Sequence, residues 1–172
     1  GVEAYLVDDP LQDRPYHIIL LAASQEGLAN LYKLISNSYI NNFYRNPRIP
    51  RHELVALREG ILLGSACESG EIIRGILKGL SDVELQKIAD FYDYLEIQPL
   101  ENNEFMVRDG IVPDRQALID INLRVIDLGE RLGKPVVATG DVHFLDPHDE
   151  VFRRIIQAGK GFTDAENQAP LY

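Results

Sequence analysis

His17-Ile18-Ile19-Leu20-Leu21-Ala22, followed by Ala23-Ser24, is the stretch on which the fold turns. Six residues, mostly apolar, have the length of a buried strand. Ser24 then has the character of a helix N-cap, and Leu28, Leu31, Leu34 and Ile35 recur at helical spacing behind it. The unit is therefore strand, then helix. The same unit recurs downstream, where Ile61-Leu62-Leu63-Gly64-Ser65-Ala66 is a second strand, followed by a helix from about Ser69 to Gly79. Ser81 caps a further helix through Ile88 to about Tyr92. Tyr94 to Gln98 alternates as a strand. The longest helical pattern runs from Asp114 to Leu132 and stops at Gly133. Pro135 to Thr139 reads as a buried-type strand, and a last helix spans about His148 to Ala158.

Alternating strands and helices predict an α/β fold with parallel strands joined by right-handed crossovers. Four core strands are too few for a closed eight-stranded barrel, which leaves an incomplete barrel or an open sheet. Phe43 to Pro50 carries Pro47 and Pro50 and is expected to be a loop, and His52 to Glu59 a short helix closed by Gly60. The 172 residues make one structural unit, with 159–172 a polar loop leading out of it. The chain opens Gly1-Val2-Glu3 without a Met and ends in a polar stretch, so both ends are expected to be cut from something longer.

Composition narrows the function classes. The content is 45% hydrophobic and 26% charged, which is ordinary for a folded protein. No apolar run approaches the ~20 residues that span a bilayer, and no signal peptide opens the chain. The net charge of −10 argues against direct nucleic-acid binding by this piece, whose basic cluster is only Arg45, Arg48 and Arg51. A single cysteine, Cys67, rules out an intrachain disulfide and points to the cytoplasm.

In parallel α/β folds functional groups gather at the C-terminal ends of strands. Asp141-Val142-His143 follows the strand ending at Thr139. In extended chain i and i+2 face one side, so carboxylate and imidazole would point together. Oxygen and nitrogen donors of this kind suit Zn²⁺, Mn²⁺ or Fe²⁺, although a turn-capping Asp141 and a packed His143 explain the pattern as well. Cys67-Glu68 follows the strand Ile61–Ala66 in the same way. A lone cysteine is by default a small buried hydrophobe, yet this position favours a ligand. His17 on its own is better read as a strand histidine bonded to backbone. Glu96 lies in an apolar strand, as a ligand, an orienting group or, the expected case, the outward residue of the alternation. Glu68 is a ligand neighbour or a helix cap. His52 and His148 are surface residues. No Ser-x-x-Lys, Gly-x-Ser-x-Gly or P-loop pattern is present, so a metal is favoured over a nucleophile.

Five blocks carry a resemblance. His17 to Ser36 resembles the strand–helix block of polymerase PHP domains. Phe43-Tyr-Arg-Asn-Pro-Arg-Ile-Pro50, Gly64-Ser-Ala-Cys-Glu-Ser-Gly-Glu71 and Asp93-Tyr-Leu-Glu-Ile-Gln-Pro99 resemble the blocks that follow in the PolC-type bacterial DNA polymerase III α subunit. Val137-Ala-Thr-Gly-Asp-Val-His-Phe-Leu-Asp-Pro147 resembles the last metal motif. The resemblance implies a distorted seven-stranded (β/α) barrel with up to three metal ions at its strand ends, and metal ligands at His17, Cys67, Asp141 and His143. Glu68 and Glu96 would orient them. The early His-x-His of the family, and the Asp, His and Glu that follow it, have no counterpart, as expected for the later half to two thirds of a PHP domain, after an inserted exonuclease. A divalent metal (Zn, Mn, Fe or Mg) is then expected in an incomplete site, with little phosphoesterase activity in this piece alone. The implied partners are the remaining polymerase chain, replisome proteins and DNA through the parent; the apolar surface and unpaired strand of an incomplete barrel add a second copy of the segment as an expected partner. A free-standing phosphoesterase similar to histidinol phosphatase is the alternative.

Overall fold

The run that opened the reading lies in strand β2 (Tyr16–Ala22), and the Ser24 side chain accepts from the Gly27 N–H to cap helix α1 (Gln25–Ile40). The computed structural model describes residues 1–9, 11 and 14–160; the expected exit loop lies outside the described residues from 161 onward. Before β2 comes β1 (Val2–Val7), and after α1 come β3 (Phe43–Tyr44), β4 (Asn46–Pro50), α2 (Arg51–Ala56) and β5 (Ile61–Gly64). Then follow α3 (Glu71–Leu77), α4 (Asp82–Ala89), β6 (Leu95–Ile97), a 3₁₀ turn, α5 (Glu104–Arg108), α6 (Arg115–Leu132), β7 (Val136–Ala138), a second 3₁₀ turn and α7 (Glu150–Gly159).

The main sheet has the order β3-β4-β1-β2-β5, and β6 pairs with β7 in a small second sheet. This corrects the all-parallel expectation. β1 and β2 are antiparallel, as are β2 and β5, whereas β1–β4 and β6–β7 are parallel. The connection from β1 to β2 is only eight residues, too short for the crossover that a parallel pair needs. β1 itself is absent from the sequence reading, although Val2, Ala4 and Leu6 alternate with Glu3 and Tyr5. Phe43–Pro50 is not a loop: β4 pairs Leu6 with Ile49 and Tyr5 with Arg48. Its prolines are tolerated because Pro47 faces only the two-residue β3 and Pro50 ends the strand.

Leu6, Ile18, Leu20 and Leu63 line one sheet face and are fully buried against Leu31 and Leu34 of α1, Leu54 of α2 and Ile72 of α3. Leu95, Val125 and Leu128 continue this core, and Met106, Val112 and Leu118 form a smaller one. Gly27 permits the close approach of α1 to the turn before β5, since a Cβ there would run into the Gly60 carbonyl. β7 is less buried than the sequence suggests. Val137 and Ala138 are exposed, because β7 has β6 on one side and no strand on its other edge among the described residues. A parallel bridge between Gly64 and Tyr94 joins β5 to the start of β6, but neither sheet closes, so the described residues form no barrel. No helix among them is long and apolar enough to cross a membrane. Phe152, Ile155 and Ile156 lie exposed along α7.

Candidate metal centre

The antiparallel register of β1 and β2 puts Tyr5 opposite His17, and the two-residue period brings Glu3 to the same face one step along. Glu3 Oε1 lies 2.6 Å from His17 Nδ1. Cys67 Sγ lies 3.3 Å from the same nitrogen. The three ligand-type atoms fall within 4.8 Å of one another. Tyr5 packs edge-on to the imidazole and limits its rotation.

Cys67 reaches this point because the chain turns sharply after β5. Ala66 has φ 58°, a left-handed backbone that costs a residue with a Cβ about 1–2 kcal/mol and that recurs at functional sites. The turn is closed by Gly70 N–H donating to the Cys67 carbonyl, and it is tied to β2 by His17 N–H donating to the Ser69 carbonyl. Gly70 cannot carry a side chain, since a Cβ would meet the Ser65 carbonyl. Loop and strand are thus fixed to each other through backbone.

Electrostatics follow from this packing. The hydrogen bond that His17 donates to Glu3 raises the His17 pKa, partly opposed by burial, and Glu68 and Asp141 add negative charge nearby. The same bond, accepted from His17, lowers the pKa of the Glu3 carboxyl. Burial, and then the charge of Glu68, push the Cys67 thiol well up. Without a cation the thiol stays protonated; a bound cation reverses that balance. Glu68 is half-buried, accepts a hydrogen bond from Ser69 Oγ, and acts on both neighbours through its charge.

Asp141 lines the same cavity as Glu3 and Cys67. Burial raises its pKa, with the charges of Glu68 and Glu3 adding to that and His143 opposing it. His143 is not brought into the set. Its ring turns back so that Nδ1 sits 2.6 Å from the Asp141 carbonyl oxygen and 3.9 Å from the Asp141 carboxylate. The expected shared direction fails because Asp141 is left-handed (φ 48°), and strand alternation does not extend through it. The segment is held at its start by Thr139 N–H donating to Ile97 and by Asn102 Nδ2 donating to the Gly140 carbonyl.

Glu96 is not an outward residue. It is 5% exposed, its N–H donates to Ser65 Oγ, and its Oε2 accepts from Thr139 Oγ1 at 3.0 Å. β5 and the residue after β7 cover the face that alternation assigns to solvent. His52 and His148 are exposed. Asp146, His148 and Asp149 also lie close together, but Asp149 serves there to cap the 3₁₀ turn by accepting from the Asp146 N–H. Glu3 is the residue that the sequence reading missed. Only the pairing of β1 with β2 reveals it; its alternation with Val2 and Ala4 was the available signal.

A family profile described as PHP domain matches residues 1–100. The chain is 53% identical over 171 residues to a PolC-type DNA polymerase III of Clostridium perfringens, covering 99% of this chain and 12% of that protein. It is 48% identical over 160 residues to the PolC-type DNA polymerase III of Halalkalibacterium halodurans and 46% over 160 residues to that of Bacillus subtilis, in each case covering 93% of this chain and 11% of the relative. The chain spans about an eighth or less of the length of these curated relatives.

Proposed function

Because the chain belongs to the PHP domain family, we propose that it is the later part of the PHP domain of a PolC-type replicative DNA polymerase, and that it binds a divalent cation. The observation that carries the metal reading is the convergence of Glu3, His17 and Cys67 from two strands and a strained turn. A carboxylate oxygen, an imidazole nitrogen and a sulfur are the donor types that Zn²⁺, Mn²⁺ and Fe²⁺ accept, so the residues fit such an ion better than Mg²⁺. Asp141 joins them from the cavity wall. His143 would hold the cation only with its ring turned away from the Asp141 carbonyl.

A bound cation would supply Lewis acidity toward phosphate oxygens and a more acidic water. The chain's own residues prepare for it. Glu3 and His17 hold each other in place, the backbone bond from His17 to Ser69 fixes the Cys67 turn, and Glu68 and Glu96 orient their neighbours. Hydrolysis between two or three cations needs more donors than these, supplied by other parts of the parent, whose strands would also extend the two sheets toward a seven-stranded barrel. The segment alone is therefore a metal-stabilised module with little phosphoesterase activity. The parent's nucleotidyl transfer takes place elsewhere in the chain, in the cytoplasm, with DNA and replisome proteins contacted by the whole protein. The exposed apolar residues of α7 support self-association of the segment when separated.

Metal analysis of the full-length polymerase tests this. Cys67→Ser and His17→Ala are each expected to lose at least one equivalent of cation. Unchanged content in both variants would remove the metal reading while leaving the family membership untouched. No observation favours the free-standing phosphoesterase.

A further inference from the structure

Three residues with a Cβ adopt a left-handed backbone among the described residues, and two of them, Ala66 and Asp141, line the cavity of the metal centre. Such a conformation persists only where its surroundings over-determine it. For Ala66 those surroundings are backbone, since Gly70 N–H donates to the Cys67 carbonyl and His17 N–H to the Ser69 carbonyl. Asp141 has no support of that kind. The chain is anchored as far as Thr139, whose N–H donates to the Ile97 carbonyl and whose Oγ1 donates to Glu96 Oε2. Beyond it, residues 140–145 make no backbone–backbone hydrogen bond among the described residues. Gly140, without a Cβ, does little to restrict its own torsions.

The support comes from a side chain. Asn102 Nδ2 donates to the Gly140 carbonyl at 2.9 Å. That carbonyl shares a planar peptide unit with the Asp141 nitrogen, so a bond that fixes the oxygen fixes the plane from which φ of Asp141 is measured. Asn102 is 8% exposed and lies in the 3₁₀ turn Leu100–Asn103. The turn is pinned to α6 on both sides. Before it, the Gln98 carbonyl accepts from Asn122 Nδ2, and Arg115 at the start of α6 pairs with Glu101 and Glu104. The donor therefore stands on a fixed base.

We infer that Asn102 is a positioning residue of the metal centre: its amide holds the Gly140–Asp141 peptide in the orientation that delivers the Asp141 carboxylate to the cavity beside Glu3 and Cys67. This rests on the reading of Asp141 as a cation donor. Without the bond the peptide is free to rotate, and Asp141 relaxes to the negative φ that a residue with a Cβ prefers. Its Cα–Cβ bond then leaves the direction of the cavity. The role needs a donor, which an apolar side chain of the same size lacks. Groups that orient a metal ligand without touching the metal carry about tenfold to a hundredfold in affinity, which sets the size of the effect.

The test uses the full-length polymerase, stripped of metal and titrated with Mn²⁺ by calorimetry. Wild type is compared with Asn102→Leu, Asn102→Ala, Asp141→Ala and the double variant Asn102→Leu/Asp141→Ala. Each Asn102 substitution is expected to weaken, by about tenfold to a hundredfold, the binding step that Asp141→Ala weakens. In the double variant Asn102→Leu is expected to add nothing to the loss from Asp141→Ala, because it acts through that carboxylate. A residue with a merely structural role would add its loss in both backgrounds. Thermal melts in excess chelator are expected to leave the Asn102 variants near wild type. Unchanged Mn²⁺ affinity in the Asn102 variants, or losses that add in the double variant, overturn the positioning role and leave Asp141 as a donor. If Asp141→Ala itself weakens no binding step, the reading of Asp141 fails and the inference fails with it. Asn102→Ala carries the measurement should the leucine fold poorly.

Discussion

Among single residues Glu96 bears most on how this chain balances stability against chemistry. Burial raises its carboxyl pKa above the ordinary 4.5. The folded state therefore binds that proton more tightly than the unfolded state, and the group favours folding at low pH. As pH rises from about 4.5 through the folded value, that advantage is lost and a buried charge must be carried instead. Glu96→Gln removes the charge and keeps the shape and the Thr139 contact. The variant is expected to gain melting temperature relative to wild type at pH 8 and to gain less, or lose, at pH 4. Thermal melts of both proteins at the two pH values check this; a difference independent of pH would mean the carboxylate is solvated in the folded state. Tyr94 behaves consistently, its hydroxyl pushed up to about 12 by burial and then by the charge of Glu96.

At the scale of elements, two features make sharp predictions. Ser81 and Glu84 form a reciprocal capping box on α4: Ser81 N–H donates to the Glu84 carboxylate and Glu84 N–H to Ser81 Oγ. Ser81→Ala is expected to cost about 1 kcal/mol in a denaturant titration, and Glu84→Ala a similar or smaller amount. Gly27→Ala should cost more, roughly 1–3 kcal/mol or beyond, because the methyl meets the Gly60 backbone and not a side chain that can swing away. If the alanine were neutral, α1 would have to sit farther from the β5 turn than it does.

These elements also mark what was legible beforehand. Ser24 and Ser81 cap their helices as their chemistry suggests, because capping is a local interaction written in four residues. Direction of strands is not local. Nothing within Tyr16–Ala22 states that it runs against β1, and β4, with its two prolines, is recognisable only by its pairing with β1. For the same reason Cys67 could be singled out by its position at a strand end and His17 by the resemblance, whereas Glu3 joins them through a cross-strand register and Glu96 is buried by neighbours remote in sequence. Asp141 and His143 could be picked out as a pair. Their relative direction could not, since one left-handed residue between strand and loop overrides the alternation.

For the whole molecule the decisive question is what ties its parts together. Glu3 and His17 belong to the main sheet, Cys67 to the turn after β5, and Asp141 to the chain leaving the second sheet. In the described residues the two sheets meet at the Gly64–Tyr94 bridge, at hydrogen bonds from the Asp93 and Tyr94 N–H to the Leu63 carbonyl and from Glu96 N–H to Ser65 Oγ, and through helices behind them. A cation held by donors from both sheets would therefore stabilise their association as well as its own site. At a free cation concentration about a hundredfold above the dissociation constant, binding adds about 2.7 kcal/mol to the folded state. For a domain of this size that corresponds to roughly 5–10 °C in melting temperature. Chelation of the full-length polymerase is expected to lower the transition of this domain by that amount, and Cys67→Ser to lower it to the same temperature with no further response to chelator. The outcome that counts against the centre is a Cys67→Ser protein still destabilised by chelation as strongly as wild type, because the stabilising cation would then lie on other residues.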